Sequence, residues 1–204
     1  YQTRAQSTPA IDAGLRRYML SVYNYMASGL ALTGLIAFML FQATAVTGPT
    51  GEIVGLTSLG VSLYTGPMMW VVALAPLGVV MYMSFGMRGM SAARAQTMFW
   101  VFAFLMGLSL STIFLTYTGA SIARVFFITA STFGAMSIYG YTTKRDLTGF
   151  GSFLFMGLIG IIIASIVNIF MQSPALYFGI SILGVLIFVG LTAYDTQKIK
   201  NMYM

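Results

Sequence analysis

The chain has 204 residues, ten of them Lys or Arg and four Asp or Glu, so 7% are charged against 58% hydrophobic. Soluble domains carry about 25% charged residues because their surface faces water; this composition therefore excludes a soluble globular enzyme, and the mean hydropathy of +0.88 excludes a disordered chain. What remains is an integral membrane protein, and with no Cys and no His it lacks disulfides, thiol and imidazole chemistry and the usual transition-metal ligands.

Residues 1–17 read as a polar tail with Pro9 and without the apolar core of a signal peptide. The chain starts at Tyr1 rather than Met, so its N-terminus is expected to be incomplete or processed. From there to Met204 a single transmembrane region is expected. About 20 apolar residues cross a ~30 Å hydrocarbon core as a helix, and six runs meet that length: about 18–46, 67–87, 96–117, 121–143, 150–172 and 176–197. They are continuously apolar rather than alternating, which predicts helices and not barrel strands. The fold class is thus all-α, a polytopic helix bundle with six spans. Pro67 suits a first helical position, and Pro76 in the middle of the second span is read as a tolerated kink, a hinge being the alternative. The connectors are short, except for a Gly-, Thr- and Ser-rich loop at Thr47–Gly66 that carries Glu52.

Basic residues give the orientation. Arg4, Arg16, Arg17, Arg88, Arg94, Lys144, Arg145, Lys198 and Lys200 fall on one side of such a bundle, and Arg124 alone on the other. The N-terminus is therefore expected to be cytoplasmic, or on the matrix side in an organelle. The pI near 9.7 then reflects topology and anionic lipid rather than nucleic acid. Small residues at helical spacing mark expected packing faces: Ala27, Ala31 and Gly34; Gly107 and Ser111; Ala130 and Gly134; Gly160 and Ala164, followed by Asn168. Asn168 is read as interhelical hydrogen-bond glue.

Few residues could carry chemistry. Asp195 stands in the last turns of the sixth span, within Leu191-Thr-Ala-Tyr-Asp-Thr-Gln-Lys198. A carboxylate near a helix C-terminus meets the negative end of the dipole, and partial burial also disfavours its charge, whereas Lys198 at i+3 favours it. Two readings stay open: a proton-sensitive carboxylate facing the bundle interior, or an interfacial Asp paired with Lys198 and wetted by headgroup water. Asp12 caps the first helix or answers Arg16, Asp146 is a surface charge, and Glu52 alone is a poor cation site. No nucleophile–base pair, phosphate loop or metal motif is present, so no enzyme, cofactor or metal centre is expected.

The segments Phe102-Ala-Phe-Leu-Met-Gly107, Tyr139-Gly-Tyr-Thr-Thr-Lys-Arg-Asp-Leu-Thr-Gly149, Gly151-Ser-Phe-Leu-Phe-Met-Gly157, Asn168-Ile-Phe170 and Ala193-Tyr-Asp-Thr-Gln-Lys198 together resemble the Bax inhibitor-1 (transmembrane Bax inhibitor motif) family, its bacterial branch above all. The resemblance implies seven helices with the seventh central, and a pH-sensitive calcium leak. In that picture an acid late in the sixth helix, here Asp195, hydrogen-bonds to an acid on the seventh, and an Arg after the second helix contributes to the latch. Arg88 matches that Arg best and Arg94 second. The second span lacks the acid that some members carry there. The seventh helix is expected to follow Met204, or to be missing from a shorter member.

The expected function is a proton-gated calcium or cation leak of the bacterial inner membrane, a mitochondrial inner membrane being the alternative, with calcium bound only in transit. The competing expectation is a non-conducting regulator or adaptor that associates through the tail with a membrane-anchored AAA protease, or a subunit of a larger membrane complex. The lipid bilayer is the expected partner in every case, and nucleic acid in none.

Overall fold

In hydrocarbon, backbone N–H and C=O groups must find partners within a helix or a closed barrel, and the continuously apolar runs of this chain fold as helices. The computed structural model describes residues 9–86 and 89–203. The chain runs α1 (Pro9–Thr44), β1 (Ala45–Thr47), β2 (Ile53–Leu56), α2 (Ser58–Tyr64), α3 (Pro67–Gly86), α4 (Ala92–Leu110), α5 (Ile113–Thr116), α6 (Gly119–Thr142), α7 (Thr148–Met171) and α8 (Pro174–Tyr203). Six helical stretches are long and apolar enough to cross a membrane: Ala13–Thr44, Pro67–Gly86, Ala92–Thr116, Gly119–Thr142, Thr148–Met171 and Pro174–Tyr203. The protein is an all-α polytopic membrane bundle with one small antiparallel hairpin.

Helix and span do not coincide at the ends. Helical conformation begins at Pro9 and persists to Tyr203, beyond the 18–46 and 176–197 runs that hydropathy marks. The Thr47–Gly66 segment is no plain loop: β1 pairs with β2, Ala45 opposite Leu56 and Thr47 opposite Ile53, with a bulge between, and α2 follows. Ser111 and Thr112 break the third span into α4 and α5. Their hydroxyls donate back to the Leu108 and Ser109 carbonyls at 2.5 and 3.0 Å, which competes with the helical ladder. Pro76 is buried inside a continuous α3.

Contacts divide the chain into two compact units, one formed by residues up to Leu20 with those from Arg124 onward, the other by Ser21–Ala123. In the second unit α1 and α4 run parallel in one register. Gln96 Nε2 donates to the Tyr25 hydroxyl at 2.8 Å. The Thr33 hydroxyl donates to Ala103 O, also at 2.8 Å. Phe41 stacks on Phe114 with ring centroids 5.5 Å apart. Gly107 sits where the backbones meet, since a Cβ there would come within 2.8 Å of Thr33 O. The face of α1 in contact is therefore the one bearing Gly29, Thr33 and Ile36. The alternative stripe of Ala27, Ala31 and Gly34 is exposed. Gly107 and Ser111 do lie on a packed face, both buried. Ala130 and Gly160 are exposed.

In the other unit α7 and α8 form an antiparallel helical hairpin. Gly151 meets the Tyr194 ring, Gly157 meets Ile187, and Gly190 meets Leu154, partner numbers falling as α7 numbers rise. The turn between them uses Gln172 in the left-handed region (φ 49°). Asn168 holds that turn: its carbonyl accepts the Gln172 N–H at 2.8 Å and its side-chain Oδ1 the Ser173 N–H at 3.0 Å.

Candidate functional site

The polar groups of the α7–α8 hairpin and of the α6–α7 turn gather at one end of their unit. Gly140 in α6 lies directly against the Ala193 carbonyl, with no room for a Cβ, so α6 and α8 approach backbone to backbone there. One turn further along α8, Gln197 is buried. Its Oε1 accepts the Leu147 N–H at 2.8 Å and its Nε2 donates to Arg145 O at 2.7 Å. A single amide thus satisfies a donor and an acceptor of the turn, groups that buried backbone must pair. Lys200 Nζ donates to Tyr141 O at 2.8 Å and stands 5.2 Å over the Tyr141 ring, a cation–π placement. The end of α8 is therefore tied to both sides of the α6–α7 turn.

Asp146 stands two residues before α7, whose N-cap position is Leu147. Its Oδ1 accepts the Thr148 N–H at 2.9 Å and the Thr148 hydroxyl at 2.6 Å, an Asx turn that leads into the helix. The Thr148 hydroxyl bond, with the N–H bond second, holds the Asp146 carboxyl below the ordinary carboxylate range. A solvated surface charge was the sequence reading; the residue is exposed but has this local structural task.

Asp195 is exposed and lines an open groove of about 570 Å³ between α7 and α8. Ser152, Thr192 and Lys198 share the polar end of the groove, and Phe155, Leu158, Phe188 and Leu191 line the rest. Lys198 acts on Asp195 electrostatically from one turn away. Among the described residues Asp195 is the one acid inside a membrane-spanning stretch. Glu52 is exposed at the hairpin turn. Among the described residues no group of three His, Cys, Asp or Glu could hold a metal ion. Arg88 lies outside the described residues, and Arg94 is exposed in the first turn of α4. Gln197 and Lys200 carried no separate signal in the sequence, because their partners are 50 and 59 positions away. Asp146-Leu-Thr148 did: an Asp two residues before a Thr at the head of an apolar run is an Asx-turn pattern.

The family model described as inhibitor of apoptosis-promoting Bax1 matches residues 15–204. This chain belongs to the Bax inhibitor-1 family. Among its relatives, the uncharacterized protein RP147 of Rickettsia prowazekii is 49% identical over 207 residues, covering 98% of this chain and 80% of the relative. An uncharacterized protein of Caulobacter vibrioides is 48% identical over 206 residues with the same coverage. Inner membrane protein YbhL of Escherichia coli K12 is 45% identical over 203 residues, again 98% of this chain and 80% of the relative. No solved structure matches. The segments that carry the Bax inhibitor-1 likeness make close contacts here: Gly107 at the α1–α4 crossing, Gly140 and Gly151 against α8, Asp146 bonded to Thr148 at the head of α7, and Gln197 closing the α6–α7 turn.

Proposed function

We propose that this Bax inhibitor-1 family member is a pH-sensitive calcium or cation leak of the bacterial inner membrane, with Asp195 as its proton-sensing carboxylate. The observation that carries the reading is the position of Asp195: among the described residues the one acid in the six spans, open to a groove beside the end of its helix that Gln197 and Lys200 tie down. Family resemblance supplies the second half, an acid facing Asp195 and an Arg, by position Arg88, that takes part in the latch. A neutral or proton-sharing acid pair bridges two helices, whereas two adjacent carboxylates repel. Raising pH then loosens that contact, and flux becomes pH-dependent.

The bacterial relatives, one of them named as an inner membrane protein, support the location. The nine bases on one side of six alternating spans support a cytoplasmic N-terminus. Residues 18–204 then act as one transmembrane region behind the tail. The test of conduction is calcium efflux from liposomes holding the purified protein, measured against pH. Absence of flux at every pH, together with retained binding to a membrane-anchored AAA protease, would instead make the protein an adaptor, and removal of residues 1–12 would then abolish that binding.

A further inference from the structure

The hairpin and α2 form an apolar surface with a boundary condition on what can cover it. Residues 45–65 carry a single charge, Glu52, and it lies in the turn between the strands. Away from the turn, Val46, Ile53, Val54, Leu59 and Val61 are all exposed, Val54 at 61%. An aqueous surface of this density of apolar side chains is unusual for so small an element.

Position decides the occupant. β1 begins at Ala45, the residue after the end of the Ala13–Thr44 span. The hairpin is also pinned to that helix end. Thr57 N–H donates to Thr44 O at 2.9 Å, the Thr57 hydroxyl to Ala43 O at 3.0 Å, and Thr44 is fully buried. The Tyr64 and Ser111 hydroxyls, 2.7 Å apart, fasten α2 to the α4–α5 break. Strands of three and four residues reach roughly 10–13 Å at about 3.3 Å per residue. The polar layer outside the hydrocarbon is about 5–8 Å deep on each side of a bilayer. An element of that reach, tied to a helix end, cannot clear the layer unless it stands upright, and upright it would carry its valines into water. The exposed surface therefore starts at the end of a membrane-spanning helix and lies within reach of the headgroup layer.

We propose that the β1–β2 hairpin with α2 is an interfacial anchor, seated in the headgroup layer of the bilayer with Val54, Leu59 and Val61 against the upper acyl chains and Glu52 in water. It fixes the depth of α1 and, through Thr44, Tyr64 and Ser111, that of the α4–α5 break.

The chain has no cysteine, so single-site labelling is direct. Val54→Cys, Leu59→Cys and Glu52→Cys variants of the whole chain would carry an environment-sensitive fluorophore in liposomes of phosphatidylethanolamine and phosphatidylglycerol. Leu77→Cys in α3 is the lipid-facing reference. Quenching by lipids with a spin label high on the acyl chain should be several-fold stronger at Val54 and Leu59 than at Glu52. Aqueous iodide should quench Glu52 several-fold more than either. Iodide access at Val54 and Leu59 equal to that at Glu52 would overturn the proposal in favour of a water-facing surface. Protection from both quenchers would overturn it in favour of a protein partner on the hairpin.

Discussion

Gln197 in the last helix is bonded to Leu147 at the head of the helix before it: Oε1 accepts the Leu147 N–H at 2.8 Å while Nε2 donates to Arg145 O at 2.7 Å. A change to Leu leaves the buried Leu147 N–H without its partner and takes one donor from the part-buried Arg145 carbonyl. Each intramolecular hydrogen bond contributes about 0.5–1.5 kcal/mol net, and an orphaned buried group costs about 1–3 kcal/mol. Gln197→Leu is therefore expected to lower the thermal midpoint in detergent and to speed hydrogen exchange at the Leu147 amide. Gln197→Glu keeps the acceptor but loses the donor and should fall between. Unchanged exchange at Leu147 in Gln197→Leu would show that the tie does not hold the turn.

The parallel α1–α4 contact leaves no volume at Gly107. Gly107→Val drives a branched side chain into Ile36 and the Thr33 carbonyl, with an overpacking cost of about 1–3 kcal/mol. Gly34→Val, on the other stripe of α1 with open space around it, should be close to neutral. Comparing the two by unfolding in mixed micelles separates the packed face from the free one.

Asp146 gives a pH dependence whose sign follows from its bonds to Thr148. Its folded carboxyl is held below the ordinary carboxylate range by Thr148. The contribution is then full above the unfolded-state value and is lost as pH falls through the lowered folded value. Wild-type stability should decline over that acidic window, and Asp146→Ala, which has no carboxylate to protonate, should lose less there while being less stable at neutral pH. Parallel profiles for the two proteins across the window would remove Asp146 from the acid response.

The fold was largely legible because hydropathy and length answer the same physical demand that folds the spans. The 121–143 and 150–172 runs lie within two residues of α6 and α7 at each end. Hydropathy measures lipid, not helix, which is why the polar turns around Arg16 and Arg17 and the Lys198–Tyr203 end are helical outside the apolar runs. Strands as short as β1 and β2 leave no periodic signal that a Gly- and Thr-rich loop lacks. On α1, a helix with small residues on several sides offers more than one stripe, and only the position of Phe99 and Gly107 selects Gly29 over Ala31. Asp195 stood out as an acid in an apolar helix. The groove around it depends on α7 residues about forty positions away, and Gln197 and Lys200 beside it on residues fifty or more away, so none had a local signature.

The most direct test of the central claim is calcium efflux against pH from liposomes holding wild-type protein or Asp195→Asn at equal density. A pH-dependent efflux is expected in wild type and a flat profile in Asp195→Asn, with Glu52→Gln retaining the wild-type dependence. A pH dependence that survives unchanged in Asp195→Asn would contradict that claim.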